Sequence, residues 1–407
     1  MHLLPERRLL LAGTFLAYLL IGLEIIIMIS PFAIYFYSAY GPALHSMSGS
    51  RLTGWLPEFF LPHLVFLDDP LILALSYLQL LLVPGMLLFL AAAAPLYYGR
   101  FTGKGVVSHS FYARIRHPQY LFLAISGLGL LLYWPRFIIL VFYVTMLFVY
   151  YLLARNEEWR MSLENPGVYE EYMARTPNMF FPGNPGGRLY DSLLGRLRPK
   201  WLGIFTAYLL VLIMGVVLAL GVRTYTVSRL PMVTGGPVAV LPVFPRPPAE
   251  VAALYQETMA GSPEVRAFLA ANPQVNLAYL MPGDFFLAAL ITDKDRRFSE
   301  DILERFPEIT EWQKHKFNSG LGRFFRIFYN YTRQLGKMET DYDIERFIFV
   351  EVIDGEGHPA GAGHLFDLDQ NRRPVLLVDV DAKSREVLTV ARTSGRNKWG
   401  RTPMPTF

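Results

Sequence analysis

Four apolar runs, residues 9–29, 71–96, 120–153 and 201–222, constrain this chain more than any other feature. A helix needs about 20 apolar residues to cross the hydrocarbon of a bilayer. In that medium every backbone N–H and C=O must be satisfied within the spanning segment. The third run approaches twice that length and is interrupted at Trp134-Pro135-Arg136, which reads as a hairpin of two helices and brings the expected number of spans to five. The first run is too long for a removable leader, and no small-residue cleavage site follows it. Only 18% of the residues are charged and the mean hydropathy is +0.29, against roughly a quarter charged in an ordinary soluble domain. A wholly soluble or a disordered protein is excluded. The absence of cysteine removes disulfide scaffolds, zinc ribbons, iron–sulfur clusters and thiol nucleophiles.

The charge is divided unevenly. Residues 1–222 hold 15 Lys and Arg against 11 Asp and Glu, whereas residues 223–407 hold 23 of each. A basic excess confined to the apolar half bears on membrane orientation, and nucleic acid is not expected as a partner. Of the 15, 13 lie in the head (Arg7, Arg8), in 100–116 and in 155–200, leaving Arg51 and Arg136. With five spans, these three groups share one side. The positive-inside tendency then puts the N-terminus in the cytoplasm and the C-terminal part outside, as for a bacterial inner membrane protein or its equivalent.

The expected architecture is an all-α polytopic membrane domain over 1–222, a Pro/Gly-rich linker over 223–248, and an extracytoplasmic α+β domain over 249–407 with a small antiparallel sheet. Helices are expected over 248–260, over 262–269 with Ser262 as N-cap and proline at the first position, and over 299–335. Alternation of apolar and polar residues predicts strands over 346–353, 363–368, 374–381 and 386–391. In the outer domain His358, His364, Asp367 and Asp369 fit no metal-ligand spacing, and strand alternation would separate His364 from Asp367, so no metal site is expected. A basic and aromatic helix with Lys314, Lys316, Arg323, Arg326 and Arg333 reads either as an ordinary helix facing a core or as an amphipathic element lying on the membrane or on the membrane domain. Within the spans, Glu24 is an ionisable group in hydrocarbon, and Pro84-Gly85 reads as a kink packed by neighbouring helices.

Chemistry concentrates around the hairpin. The chain enters it through Ser108-His109-Ser110-Phe111-Tyr112 and Arg116-His117-Pro118-Gln119-Tyr120, and leaves through Glu157-Glu158, Tyr169 and Tyr172. A folded-back helix pair returns its two ends to one membrane face, so Arg116, His117 and Tyr120 are expected beside Glu157 and Glu158. That group of charges suits a ligand with both cationic and anionic parts. Taken singly, each piece has a structural explanation: basic residues snorkel, proline suits a first helical turn, and paired glutamates occur at solvated helix ends.

As an ordered set, Arg116-His117-Pro118-x-Tyr120, an apolar hairpin with Gly127 and Gly129, Glu157-Glu158, Tyr169 and Tyr172 resemble the isoprenylcysteine carboxyl methyltransferase and phospholipid N-methyltransferase superfamily. The resemblance covers about residues 71–182. It implies S-adenosylmethionine as cofactor in a cytoplasm-facing pocket, and a lipophilic acceptor such as a prenyl-carboxylate or lipid amine entering from the bilayer. It further implies cofactor binding by Tyr112, His117, Pro118, Tyr120, Glu157 and Glu158. Arg116, His117 and Glu158 are the implied catalytic residues, with Glu158 or His117 as the base where the acceptor is an amine.

Two other readings stand beside this one. The membrane domain could be a catalytically degenerate anchor or subunit whose outer domain binds a protein partner. A nicotinamide-dependent membrane reductase would share part of the helical architecture, but no glycine-rich phosphate loop supports it. Residues 377–388 resemble the sheet of PepSY domains and carry no catalytic groups.

Overall fold

A computed structural model describes residues 52–63, 65–103, 106–181, 183, 185–234, 236–283 and 343–393, with isolated positions before residue 52. Apart from a few isolated positions the expected first span lies outside the described residues, as do Glu24 and the expected helix over 299–335. The chain divides into two compact units, one of residues 1–61 and 70–224, the other of residues 62–69 and 225–407.

The first unit is helical. Its described helices are α1 (Pro70–Tyr77), α2 (Leu82–Phe101), α3 (Pro118–Tyr133), α4 (Phe137–Glu164), α5 (Val168–Arg175), α6 (Pro185–Leu193) and α7 (Lys200–Ser228), with a short 3₁₀ turn, Leu78–Leu81, joining α1 to α2. Three stretches among the described residues are long and apolar enough to cross a membrane: Pro70–Gly99, Phe137–Glu164 and Lys200–Ser228. That is fewer than the five spans expected. α3 is apolar but has only 16 residues, about 24 Å at 1.5 Å per residue, short of a hydrocarbon layer about 30 Å thick.

The hairpin turns where Pro135 forbids helix continuation, between Tyr133 and Phe137. The opening N–H groups of α4 lack intrahelical partners, and a neighbouring loop supplies them. Phe137 N–H donates to the Glu58 carbonyl at 3.1 Å and Ile138 N–H to that of Leu56 at 2.8 Å. Arg136 lies over the Phe59 ring at 3.9 Å and donates to the Pro57 carbonyl. α2 and α3 then approach until backbone meets backbone. A Cβ at Gly129 would stand 2.1 Å from Leu82 N, and one at Gly85 2.5 Å from Ser126 N. Ser126 Oγ donates to the Leu82 carbonyl at 2.9 Å. Pro84-Gly85 thus serves a helix crossing. α7 runs antiparallel to α4: Tyr208, near its start, meets Thr145 Oγ1 at 3.0 Å, Gly215 faces Leu140 and Val144, and Arg223 donates to the Phe59 carbonyl at the hairpin-turn end.

The second unit holds a five-stranded sheet in the order β1 (Ala239–Pro242), β2 (Val275–Pro282), β3 (Ile344–Ile353), β4 (Asn371–Asp381), β5 (Val387–Arg392). It is mixed, not the small antiparallel sheet expected, because β1 runs parallel to β2. A parallel pair needs a crossover. Here α8 (Pro248–Gly261) and α9 (Pro263–Ala271) provide it, and bury Val251, Leu254 and Val265 on Val240, Leu280, Phe347, Phe349 and Val378. Ser262 caps α9 as expected, its Oγ accepting from Val265 N–H at 3.3 Å. Residues 363–368 form a 3₁₀ turn and loop in place of the expected strand. His364 and Asp367 are consequently partners at 2.7 Å, not residues on opposite faces.

Residues 62–69 join this unit by pairing with the stretch after β1. Phe66 N–H donates to the Val243 carbonyl at 2.8 Å, and the Phe66 ring stacks on Phe244 at 4.8 Å. Asp69 accepts from Tyr225 Oη at 2.9 Å.

Candidate functional site

At the end of the first unit away from the hairpin turn, α2, α3, α4 and α5 converge on a cavity of about 80 Å³. Its walls include Tyr97, Tyr112, Arg116, His117, Glu157, Tyr169 and Tyr172, with Leu96, Val106, Val107 and Met161 as the apolar side. A single water needs roughly 10–15 Å³ on this measure, so the cavity, which opens to the surface, has room for an amino-acid head group or several waters.

The segment before α3 is fixed by backbone bonds to the stretch after α5. Arg116 N–H donates to the Asn178 carbonyl at 3.0 Å, and His117 N–H to that of Met179 at 3.1 Å. Pro118 sits at the first position of α3, where its missing N–H costs nothing, and Tyr120 follows on the same turn. α4 carries Glu157 and Glu158 in its penultimate turns. Gly167, with a φ of +82°, lets the chain reverse into α5, a conformation that costs glycine little. α5 then delivers Tyr169 and Tyr172, the latter donating from Oη to the Tyr112 carbonyl at 2.9 Å.

Five groups form one polar network. Glu158 Oε1 accepts from Arg116 Nε at 2.7 Å and lies 3.3 Å from His117 Nε2. Glu157 Oε2 lies 3.4 Å from His117 Nδ1, and its Oε1 accepts from Tyr120 Oη at 2.5 Å. Arg116 Nη1 donates to the Thr176 carbonyl at 2.8 Å. His117 is 3% exposed. Burial pulls its pKa down, but hydrogen bonds and charge from Glu157 and Glu158 outweigh burial and leave it above the ordinary imidazole value. Burial, with the Glu157 charge adding, pushes the Tyr112 hydroxyl far up. Burial also lifts Tyr172, to about 12 even with Arg116 pulling the other way. The phenols are neutral hydrogen-bonding groups.

The seven residues expected from sequence to form the site gather at this end, in two layers. Tyr112, Arg116, His117 and Glu157 border the cavity. Pro118, Tyr120 and Glu158 stand behind them: Tyr120, 1% exposed, stacks on Tyr150 at 5.0 Å, and Glu158 holds Arg116 and His117. Sequence reasoning missed Tyr97, Gln119, Arg160 and Met161. Arg160 and Met161 follow Glu157 at helical spacings of three and four, a signal that could have found them. Tyr97 reaches the cavity only because α2 crosses α3 where it does.

Neither a family model, nor a curated protein, nor a solved structure matches this chain.

Proposed function

We propose that the chain is an integral membrane S-adenosylmethionine-dependent methyltransferase acting on a lipophilic acceptor, with its N-terminus cytoplasmic and its C-terminal domain outside. The observation that carries this reading is one cavity at a helix-bundle end where Arg116, His117 and Glu157 meet four tyrosines. The donor set suits such a cofactor. Carboxylates accept charge-assisted hydrogen bonds from an ammonium, and phenol rings attract a cation such as a sulfonium. Arg116 Nη2, with no protein partner among the described residues, is available to a carboxylate. The cavity volume matches the amino-acid end, and the nucleoside would lie over the mouth.

When bound, the cofactor supplies an electrophilic methyl group on sulfur. The protein's part is alignment and exclusion of water. Arg116 and Glu157 would hold opposite charges of the amino-acid end. His117, its pKa raised by the two carboxylates, would hold both acids in place. A carboxylate acceptor needs no base. For an amine acceptor, Glu157 is the carboxylate at the cavity wall, while Glu158 is held behind it by Arg116 and His117.

Calorimetric titration of the full chain in detergent with S-adenosylhomocysteine tests this reading. Saturable heat is expected from the intact protein, with loss of about tenfold or more in affinity for Glu157→Ala and for His117→Ala, the size of one lost charge-assisted bond. No heat from the intact protein would favour an anchor or subunit role. Heat that survives both substitutions would place the ligand elsewhere.

A further inference from the structure

We propose that residues 185–201 form an interfacial element that binds the anionic lipid surface of the leaflet from which α7 enters the membrane. The inference is independent of the reaction assigned above.

α6 buries none of its residues. Its inner side, Tyr190 and the following Leu194, is half-buried. A Cβ on Gly203 would stand 2.5 Å from Tyr190 Oη, so α6 is seated on the first turn of α7 at a position only glycine permits without rearrangement. Beside Tyr190 and Leu194, the residues Leu189 and Leu193, one turn apart on α6, are exposed, and so are Leu197 and Trp201 in the stretch that follows the helix. Arg188, Arg196, Arg198 and Lys200, all exposed, are interspersed with these apolar residues in sequence, against the single acid Asp191. Nothing among the described residues covers the exposed leucines.

The occupant follows from charge and position. Lys200 begins the 29-residue apolar helix α7, so the element is tied within one or two turns of where the chain meets the bilayer. Exposed apolar residues interspersed with arginines suit the boundary between headgroups and acyl chains, where such helices sit about 5–10 Å deep. Basic residues beside a spanning helix are attracted to anionic lipid within a Debye length. Tryptophan at the entry is the amphipathic side chain enriched at that depth.

The chain has no cysteine, so Leu193→Cys and Ser192→Cys each accept one nitroxide spin label in the full-length protein. Position 193 is one of the exposed leucines and 192 is the serine before it. In vesicles of three parts phosphatidylcholine to one part phosphatidylglycerol, the label at 193 is expected to collide several-fold more with oxygen, relative to a water-soluble nickel chelate, than the label at 192. The ratio at 193 should fall in pure phosphatidylcholine, and fall likewise when Arg188→Gln, Arg196→Gln and Arg198→Gln are combined. These side chains are exposed, so unchanged thermal unfolding should accompany the triple substitution. Equal ratios at the two positions in anionic vesicles would overturn the proposal. So would a ratio at 193 indifferent to lipid charge and to the arginines. Shielding of 193 from both reagents would mean that protein covers the leucines, and would overturn the proposal as well.

Discussion

His117 is the residue on which the cavity wall turns. Two carboxylates flank it at 3.3 and 3.4 Å, and its folded pKa is raised. A raised pKa on folding means that the proton stabilises the folded state. That contribution is complete below about 6.5, the ordinary imidazole value, and is lost as pH rises through the folded value. Thermal unfolding in detergent between pH 5.5 and 9 should therefore show a declining midpoint over that window, and His117→Gln should flatten the decline. An equal slope in both proteins would mean that His117 does not carry the charge. Glu158→Gln removes the anion shared by Arg116 and His117, leaving buried positive charge poorly compensated. It should destabilise the first unit by about 3–5 kcal/mol, measured by the same unfolding experiment. Much of this network was legible in the sequence: an Arg-His-Pro entry, a hairpin of apolar residues and a Glu-Glu exit must meet if the hairpin closes. Which acid faces the cavity was not legible, because adjacent residues on a helix point about 100° apart and only the packing of α3 against α4 sets the rotation.

At the scale of elements, close helix crossing does the work that side chains do elsewhere. Gly129→Ala places a methyl group into the Leu82 backbone at 2.1 Å. Overpacking of a core costs about 1–3 kcal/mol. Backbone cannot yield as a flexible side chain does, so the cost should reach the upper part of that range, read as a lower unfolding midpoint. In the second unit, the bidentate pair of Arg346 with Asp379, at 2.7 and 2.8 Å between β3 and β4, predicts a similar penalty for Asp379→Asn. It should be up to about 3 kcal/mol, since the substitution removes the bidentate anionic partner of a buried guanidinium. The strands over 344–353, 371–381 and 387–392 were legible from alternation, and the helix starts at Pro248 and Pro263 from proline and the Ser262 cap. β1 was not. Ala239–Pro242 lies within a proline-rich stretch that has the composition of a linker, and it becomes a strand only by pairing with β2. The residues 363–368 erred the other way: they alternate, but Gly363, with Gly361 just before it, and a local His364–Asp367 bond favour a turn.

At the scale of the whole molecule, one end of the first unit is the hairpin turn, where Arg223 donates to the Phe59 carbonyl. The cavity occupies the other end. If the basic segments 100–116 and 155–200 are cytoplasmic, alkaline phosphatase fused after Phe407 should be active, and the same enzyme fused within 104–109 should be silent. The reverse pattern would invert the topology. Helices long and apolar enough to cross a membrane, the hairpin turn at Pro135 and the gathering of charged and tyrosine side chains at one bundle end are all consequences of local chemistry: solvation of apolar runs, proline's missing N–H, and the length of a helix. The number of spans among the described residues, the parallel pairing of β1, the two layers of the site and the crossing at Gly85 and Gly129 depend on contacts between residues distant in the chain. Those contacts are decided by shape complementarity between packed surfaces, which a linear order of residues does not contain.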